Sequence, residues 1–226
     1  MVKEKLSLLD YLADAAQKQH PLPSIPEIGK QLGISTATLR EQLEVARQLG
    51  LIEVRPKTGM SLLPFSLTPA LMLGLNYSQK IDPETFEQLS NLRKHLEQAY
   101  WPEAAPLLTH EDIIQLEKLL SQAERKINRL PMQVPKEEHR AFHLGIYKHL
   151  HNTFVTAIME SYWNLYQASD LNVYMEHNYL ESVWNYHKKI VDALKQRDFE
   201  KGLEALIAHM ELVKQVKKPE LKQRFE

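Results

Sequence analysis

The residues best equipped for chemistry in this 226-residue sequence are its 10 histidines. Four of them fall in one short stretch, "EEHRAFHLGIYKHLH", residues 137–151. His139 and His143 stand four apart, the spacing that puts two side chains on one face of a helix. Ile146, Tyr147 and Leu150 continue that face. Further on, His187 falls in a stripe with Ile190, Val191 and Leu194, and His209 in one with Leu206, Val213 and Val216. Imidazoles on three core-facing helices can coordinate a divalent metal. The same residues can also be satisfied core histidines, since a single His-x-x-x-His pair carries little specificity. Three helices contributing together is what points toward a site. An all-imidazole set suits zinc, nickel or copper rather than magnesium or calcium. His149, His151 and His177 miss the stripes and read as surface or boundary residues.

The elements that must position these side chains follow from composition and pattern. The chain is 43% hydrophobic and 25% charged, enough for a sizeable core, and holds only 7 Gly, few for a sheet-rich fold. It has no Cys, which excludes disulfides, thiolate metal sites and cysteine nucleophiles and fits a reducing cytoplasm. No apolar run approaches the roughly 20 residues that span a bilayer. Asp10 and Asp14 interrupt the N-terminal apolar pattern, which argues against a signal peptide. Net charge is −1, so any nucleic-acid contact must come from a local patch.

Residues 1–66 read as one domain, 67–81 as a linker marked by nearby prolines, and 82–226 as a second, all-helical domain. In the first, Leu6, Leu9, Leu12, Ala13 and Ala16 set a helical stripe. Ser24 and Glu27 form a capping box for a second, short helix ended by Gly33. Ser35 caps a third helix that ends at Gly50. Residues 51–55 and 60–63 then read as a hairpin around "PKTG". Three helices and a hairpin make a winged helix-turn-helix, the arrangement that puts a recognition helix in a DNA major groove. Without that role the segment is a small helical subdomain with an incidental hairpin.

The segment "LPSIPEIGKQLGISTATLREQLEVARQLGLIEVRPKTGMSL" resembles the winged-helix domain of the GntR family of bacterial transcription regulators, over about residues 5–63. The resemblance implies DNA contacts by Ser35, Thr36, Thr38 and Arg40 on the recognition helix and by Lys57, Thr58 and Gly59 at the wing tip. Thr36 stands where the family usually carries Arg after the recognition-helix Ser, and Pro26 where it often carries another Arg early in the second helix. Arginine is the chief bidentate reader of guanine, so the usual family operator does not carry over at these positions. Eight Lys or Arg against seven Asp or Glu in residues 1–69 leave +1, so non-specific affinity is expected to be weak and salt-sensitive.

From Asp82 on, every long segment has a helical period and strand signals are absent, which predicts an all-α bundle of about six helices. The expected helices cover residues 83–105, 109–130, 136–151, 153–178, 180–196 and 199–217. The mostly α chain thus carries its winged helix first and its bundle second. This second part resembles the effector domain of the FadR-like (FCD) subgroup of the same family. His139, Phe142, His143 and Asn152 match one family pattern; His187 in "YHKKIVDALKQRDFEKG" and His209 in "AHMEL" match the later ones, in the right order. The resemblance implies a divalent metal, often zinc or nickel, held by His139, His143, His187 and His209 beside a small carboxylate effector. His139 stands where the family usually has Asp, which makes the set four-His. Its imidazoles leave a bound ion its full charge, favouring an anionic effector. If His139 points away, three histidines leave a position open for an effector oxygen or water.

Arg93 and Glu97 match the family's Arg-x-x-x-Glu, which implies Arg93 as a clamp for the effector carboxylate. On spacing alone they are an i,i+4 ion pair on a solvated face. The resulting expectation is a homodimeric, cytoplasmic, operator-binding regulator, of the repressor type, that responds to a small carboxylate metabolite and has no membrane partner. Two alternatives stand beside it. One is a metal-dependent enzyme on a helical bundle, which lacks paired Glu-x-x-His motifs and an evident general base. The other is a regulator of the same family whose histidines bind the effector without metal.

Overall fold

The computed structural model describes residues 7–55, 59–168 and 176–212. Lys57 and Thr58, expected at the wing tip, lie outside the described residues. The chain divides into two compact units, residues 1–82 and 83–226.

In the first unit α1 spans Leu8–Gln17, α2 Ile25–Leu32 and α3 Thr36–Gln48. Strands β1 (Ile52–Arg55) and β2 (Gly59–Leu62) pair antiparallel, Ile52 opposite Leu62 and Arg55 opposite Gly59. This is the expected winged helix-turn-helix. Its starts are set locally. The Ser7 and Asp10 side chains cap α1 reciprocally. The Ser24 N–H and Oγ–H both donate to Glu27 Oε2, at 2.9 and 2.5 Å, and open α2. Ser35 Oγ accepts from the Thr38 N–H at 3.1 Å and opens α3. Leu8, Leu12, Ile28, Leu32, Leu39, Leu43 and Ile52 pack into one core. Gly50 closes α3 with φ +73°, and a Cβ there would lie 2.6 Å from the Pro69 ring, so the site needs glycine twice over.

The segment expected as a linker is mostly helical: α4 runs Thr68–Ile81. Pro69 falls in its first turn, where the missing N–H costs nothing, so the residue that suggested a break opens a helix. No residue of α4 is fully buried, and Tyr77 and Ile81 are exposed, but its first turn is half-buried and its Pro69 ring packs against Gly50.

The second unit holds α5 (Thr85–Ala104), α6 (His110–Ile127), α7 (Lys136–Ile146), α8 (Thr153–Ala168), α9 (His177–Lys195) and α10 (Phe199–Leu212), with a 3-10 turn at Ala105–Leu107. Its core gathers Trp101, Phe142, Ile146, Met159, Ile190, Leu194 and Leu206. Asp82 ends α4 instead of capping the next helix, which starts after Glu84. The helix expected to reach residue 151 stops at Ile146. Just past that end, Lys148 makes an ion pair with Asp112, in the first turn of α6, and His149 approaches it at 2.8 Å.

Candidate functional site

The four striped histidines meet. His139 and His143 come from α7, His187 from α9 and His209 from α10; the last three are fully buried. One ring nitrogen from each lies within 4.8 Å of the others. Nε2 of His143 is 3.2 Å from Nε2 of His209 and 3.2 Å from Nε2 of His187; Nε2 of His139 is 3.5 Å from that of His209. Imidazole nitrogens placed tetrahedrally around zinc at 2.0–2.1 Å would be roughly 3.3–3.4 Å apart.

The protons say more than the distances. Nδ1 of His187 is 2.9 Å from the Val183 carbonyl oxygen, which only accepts, so Nδ1 carries the proton. Nδ1 of His143 is 2.7 Å from Glu97 Oε2 and donates likewise. In a neutral ring Nε2 is then a bare lone pair. Burial pushes all four imidazoles below the ordinary histidine range, which keeps them neutral. The 3.2 Å contact between His143 and His187 therefore sets one lone pair against another. That is a poor arrangement for two free imidazoles and the right one for two ligands of a shared cation, so the donor set fits a nitrogen-preferring metal. His209 Nδ1 is buried without a hydrogen-bond partner.

Glu97 and Arg93, both on α5, stand next to this cluster. They are 0% and 3% exposed, so the solvated ion pair suggested by spacing is overturned. Arg93 Nε lies 3.0 Å from Glu97 Oε1, but neither atom is in hydrogen-bond geometry. The Arg93 guanidinium sits 4.3 Å over the Tyr162 ring and 4.9 Å over Trp163. Burial alone would raise the Glu97 carboxyl; His143 and Arg93 beside it pull it below the usual range. Trp163 also packs its ring 4.8 Å from His139 and 5.2 Å from His143. Beside His139 lies a cavity of about 10 Å³, lined by Val134, Pro135, Tyr166, Tyr179 and Trp184 among others, the space of one water.

Glu97 is the residue that sequence reasoning undervalued, since it was read only as an ion-pair partner. Its signal was the registry itself. Arg93, Glu97 and Trp101 are spaced by four and share a face, and an acid on a face with a core Trp needs a buried partner.

In the first unit Thr36, Thr38 and Arg40 are exposed on the first turns of α3, while Ser35 and Thr38 are joined at 2.9 Å between their hydroxyls. Gly59 opens β2 with φ 88°. Arg47 pairs with Glu44 and Arg55 with Glu53. Among the described residues, Lys30 and Arg40 are cations of the α2–α3 region with no ion pair.

No helix of the described residues is long and apolar enough to cross a membrane. The FCD domain family matches residues 88–212. The chain is 25% identical over 204 residues to the Uxu operon transcriptional regulator of Escherichia coli, covering 86% of this chain and 77% of that one. It is 23% identical over 198 residues to the Uxu operon regulator of Haemophilus influenzae, covering 85% and 72%. A solved structure of a Streptococcus agalactiae GntR protein shares the fold, with a TM-score of 0.65 at 20% identity, over 92% of this chain and 99% of that one. The two curated relatives are operon regulators by name, and with the family match they set this chain among transcription regulators rather than metal-dependent enzymes. The chain belongs to the FCD-domain branch of the GntR family of transcription regulators.

Proposed function

We propose that this regulator binds a DNA operator as a homodimer through its winged helix. A small carboxylate metabolite, bound in the helical unit next to a metal held by His139, His143, His187 and His209, releases it. The observation that carries this reading is the pair of fixed lone pairs, on His143 and His187, facing each other at 3.2 Å. When bound, a zinc or nickel ion supplies a positive centre for an anionic oxygen. The chain's own residues do the rest. Arg93 Nε is not in hydrogen-bond geometry with Glu97, and the guanidinium is the group that would fork onto a carboxylate. Tyr162 and Trp163 lie over the guanidinium and cover it from water. On the DNA side Ser35, Thr36, Thr38, Arg40 and Gly59, with Lys57 and Thr58, contact the operator, Arg40 as the reader of guanine. The relatives' names, as regulators of an operon, support action at an operator. In this reading the regulator represses in the cytoplasm and the effector relieves the repression.

The test is a gel shift on the DNA upstream of the chain's own gene. Zinc- or nickel-loaded protein is challenged with a panel of small mono- and dicarboxylates. Selective release by one class, absent in Arg93→Met/Glu97→Gln, supports the reading. Binding that no carboxylate alters contradicts it.

A further inference from the structure

We propose that Glu97 is the positioning residue of the histidine cluster. It fixes the His143 ring so that Nε2 faces the other imidazoles, and it is itself held between Arg93 and the end of α7. The inference rests on the reading that these histidines take a metal, and it adds a residue that is itself no ligand.

The geometry points there from both oxygens of one carboxylate. Oε2 accepts from His143 Nδ1 at 2.7 Å, which leaves Nε2 as the only nitrogen that can enter the cluster as a donor. Oε1 lies 3.0 Å from Arg93 Nε without hydrogen-bond alignment, so Arg93 acts on it by charge. The carboxylate is anchored through its own backbone as well. The Tyr147 hydroxyl, from just beyond α7, donates to the Glu97 carbonyl oxygen at 2.7 Å. That bond fixes α5 to the end of α7 and sets the distance from Glu97 to His143. The His187 ring is fixed by a backbone carbonyl of its own helix, and His209 Nδ1 has no hydrogen-bond partner. His143 is therefore the ring whose orientation depends on a side chain from another element, 46 residues away. A purely structural reading of Glu97 gives it one task, neutralising Arg93. That reading predicts no effect on which His143 nitrogen carries the proton.

The experiment separates the two. Removing Glu97 alone would leave Arg93 as an unpaired buried charge, so the informative variants change both residues. Arg93→Met/Glu97→Leu removes the charges and the acceptor. Arg93→Met/Glu97→Gln removes the charges and keeps an acceptor. Ring nitrogen shifts of His143 are read by NMR in metal-free protein, and zinc affinity by competition with a chelator. In wild type the expected form is Nδ1–H. In the Leu variant that preference is lost and zinc affinity falls roughly 10–100-fold; the Gln variant restores most of both. A Leu variant that keeps the Nδ1–H form with unchanged zinc affinity would overturn the proposal. Wild type that binds no zinc would instead count against the metal reading, and the His143 shifts would still decide the role of Glu97.

Discussion

The two units place their chemistry in opposite ways. In the winged helix the candidate contacts lie on the outside, within a few residues of one another on α3 and the hairpin, over a core of aliphatic side chains. In the helical unit the candidate groups are inside, drawn from α5, α7, α9 and α10, and replace part of the apolar core. A surface site can be rewritten without touching the fold, as Thr36 and Pro26 illustrate. A buried site cannot, because every charge in it must be answered by another. Substitutions should therefore separate function from stability in the first unit and fail to separate them in the second. All three Trp, at 101, 163 and 184, lie in the helical unit, so tryptophan fluorescence follows that unit alone.

The largest effect is expected at Glu97. Glu97→Ala leaves Arg93 charged and buried beside a ring without its acceptor, and should destabilise the helical unit by about 3–5 kcal/mol. Urea unfolding followed by tryptophan fluorescence checks it. A loss below 1 kcal/mol would mean that the pair is not closed from water.

Asp112→Asn comes next, at about 1–3 kcal/mol. Burial alone would raise the Asp112 carboxyl, but hydrogen bonds from Lys148, Thr109 and His149 outweigh it and hold it well below the usual carboxylate range. Because the folded value is depressed, this stabilisation is complete above the unfolded carboxylate value of 3.8 and fades as pH falls below it. Wild type should lose stability in that window and the Asn variant should lose less. Parallel acid titrations would contradict the assignment.

Arg40→Ala should cost about 1–3 kcal/mol of operator affinity, as for loss of one base-reading arginine, with no change in the unfolding curve followed by circular dichroism, which reports both units. A matching fall in stability would erase the contrast between the units. The smallest effect is Arg47→Ala. Its pair with Glu44 is about half exposed on both sides, so water and salt screen it. A change in stability too small to resolve by circular dichroism is expected.

Legibility follows the same division. The winged helix is readable because its signals are local: Ser24 and Glu27 are three residues apart, Ser35 sits next to its helix, and Gly50 ends α3. In the helical unit the apolar stripes show which face of each helix points inward, and so single out His139, His143, His187 and His209. They do not show which faces meet, since the pairs are separated by 44 to 70 residues. Glu97 was obscured by its own spacing, because Arg-x-x-x-Glu is also the pattern of an ordinary exposed pair. The early end of α7 was hidden for a related reason: the residues just past it meet Asp112, far away in sequence and adjacent in space. α4 was misread because Pro69 marks a first turn as readily as a break.

The lone pairs of His143 and His187, 3.2 Å apart, are what a shared cation would answer. The most direct test is metal content by mass spectrometry on protein purified without an affinity tag or added metal, wild type beside His143→Ala. About one zinc or nickel per chain in wild type and none in the variant is the predicted result. No metal in wild type, even after incubation with zinc and with nickel, would contradict it.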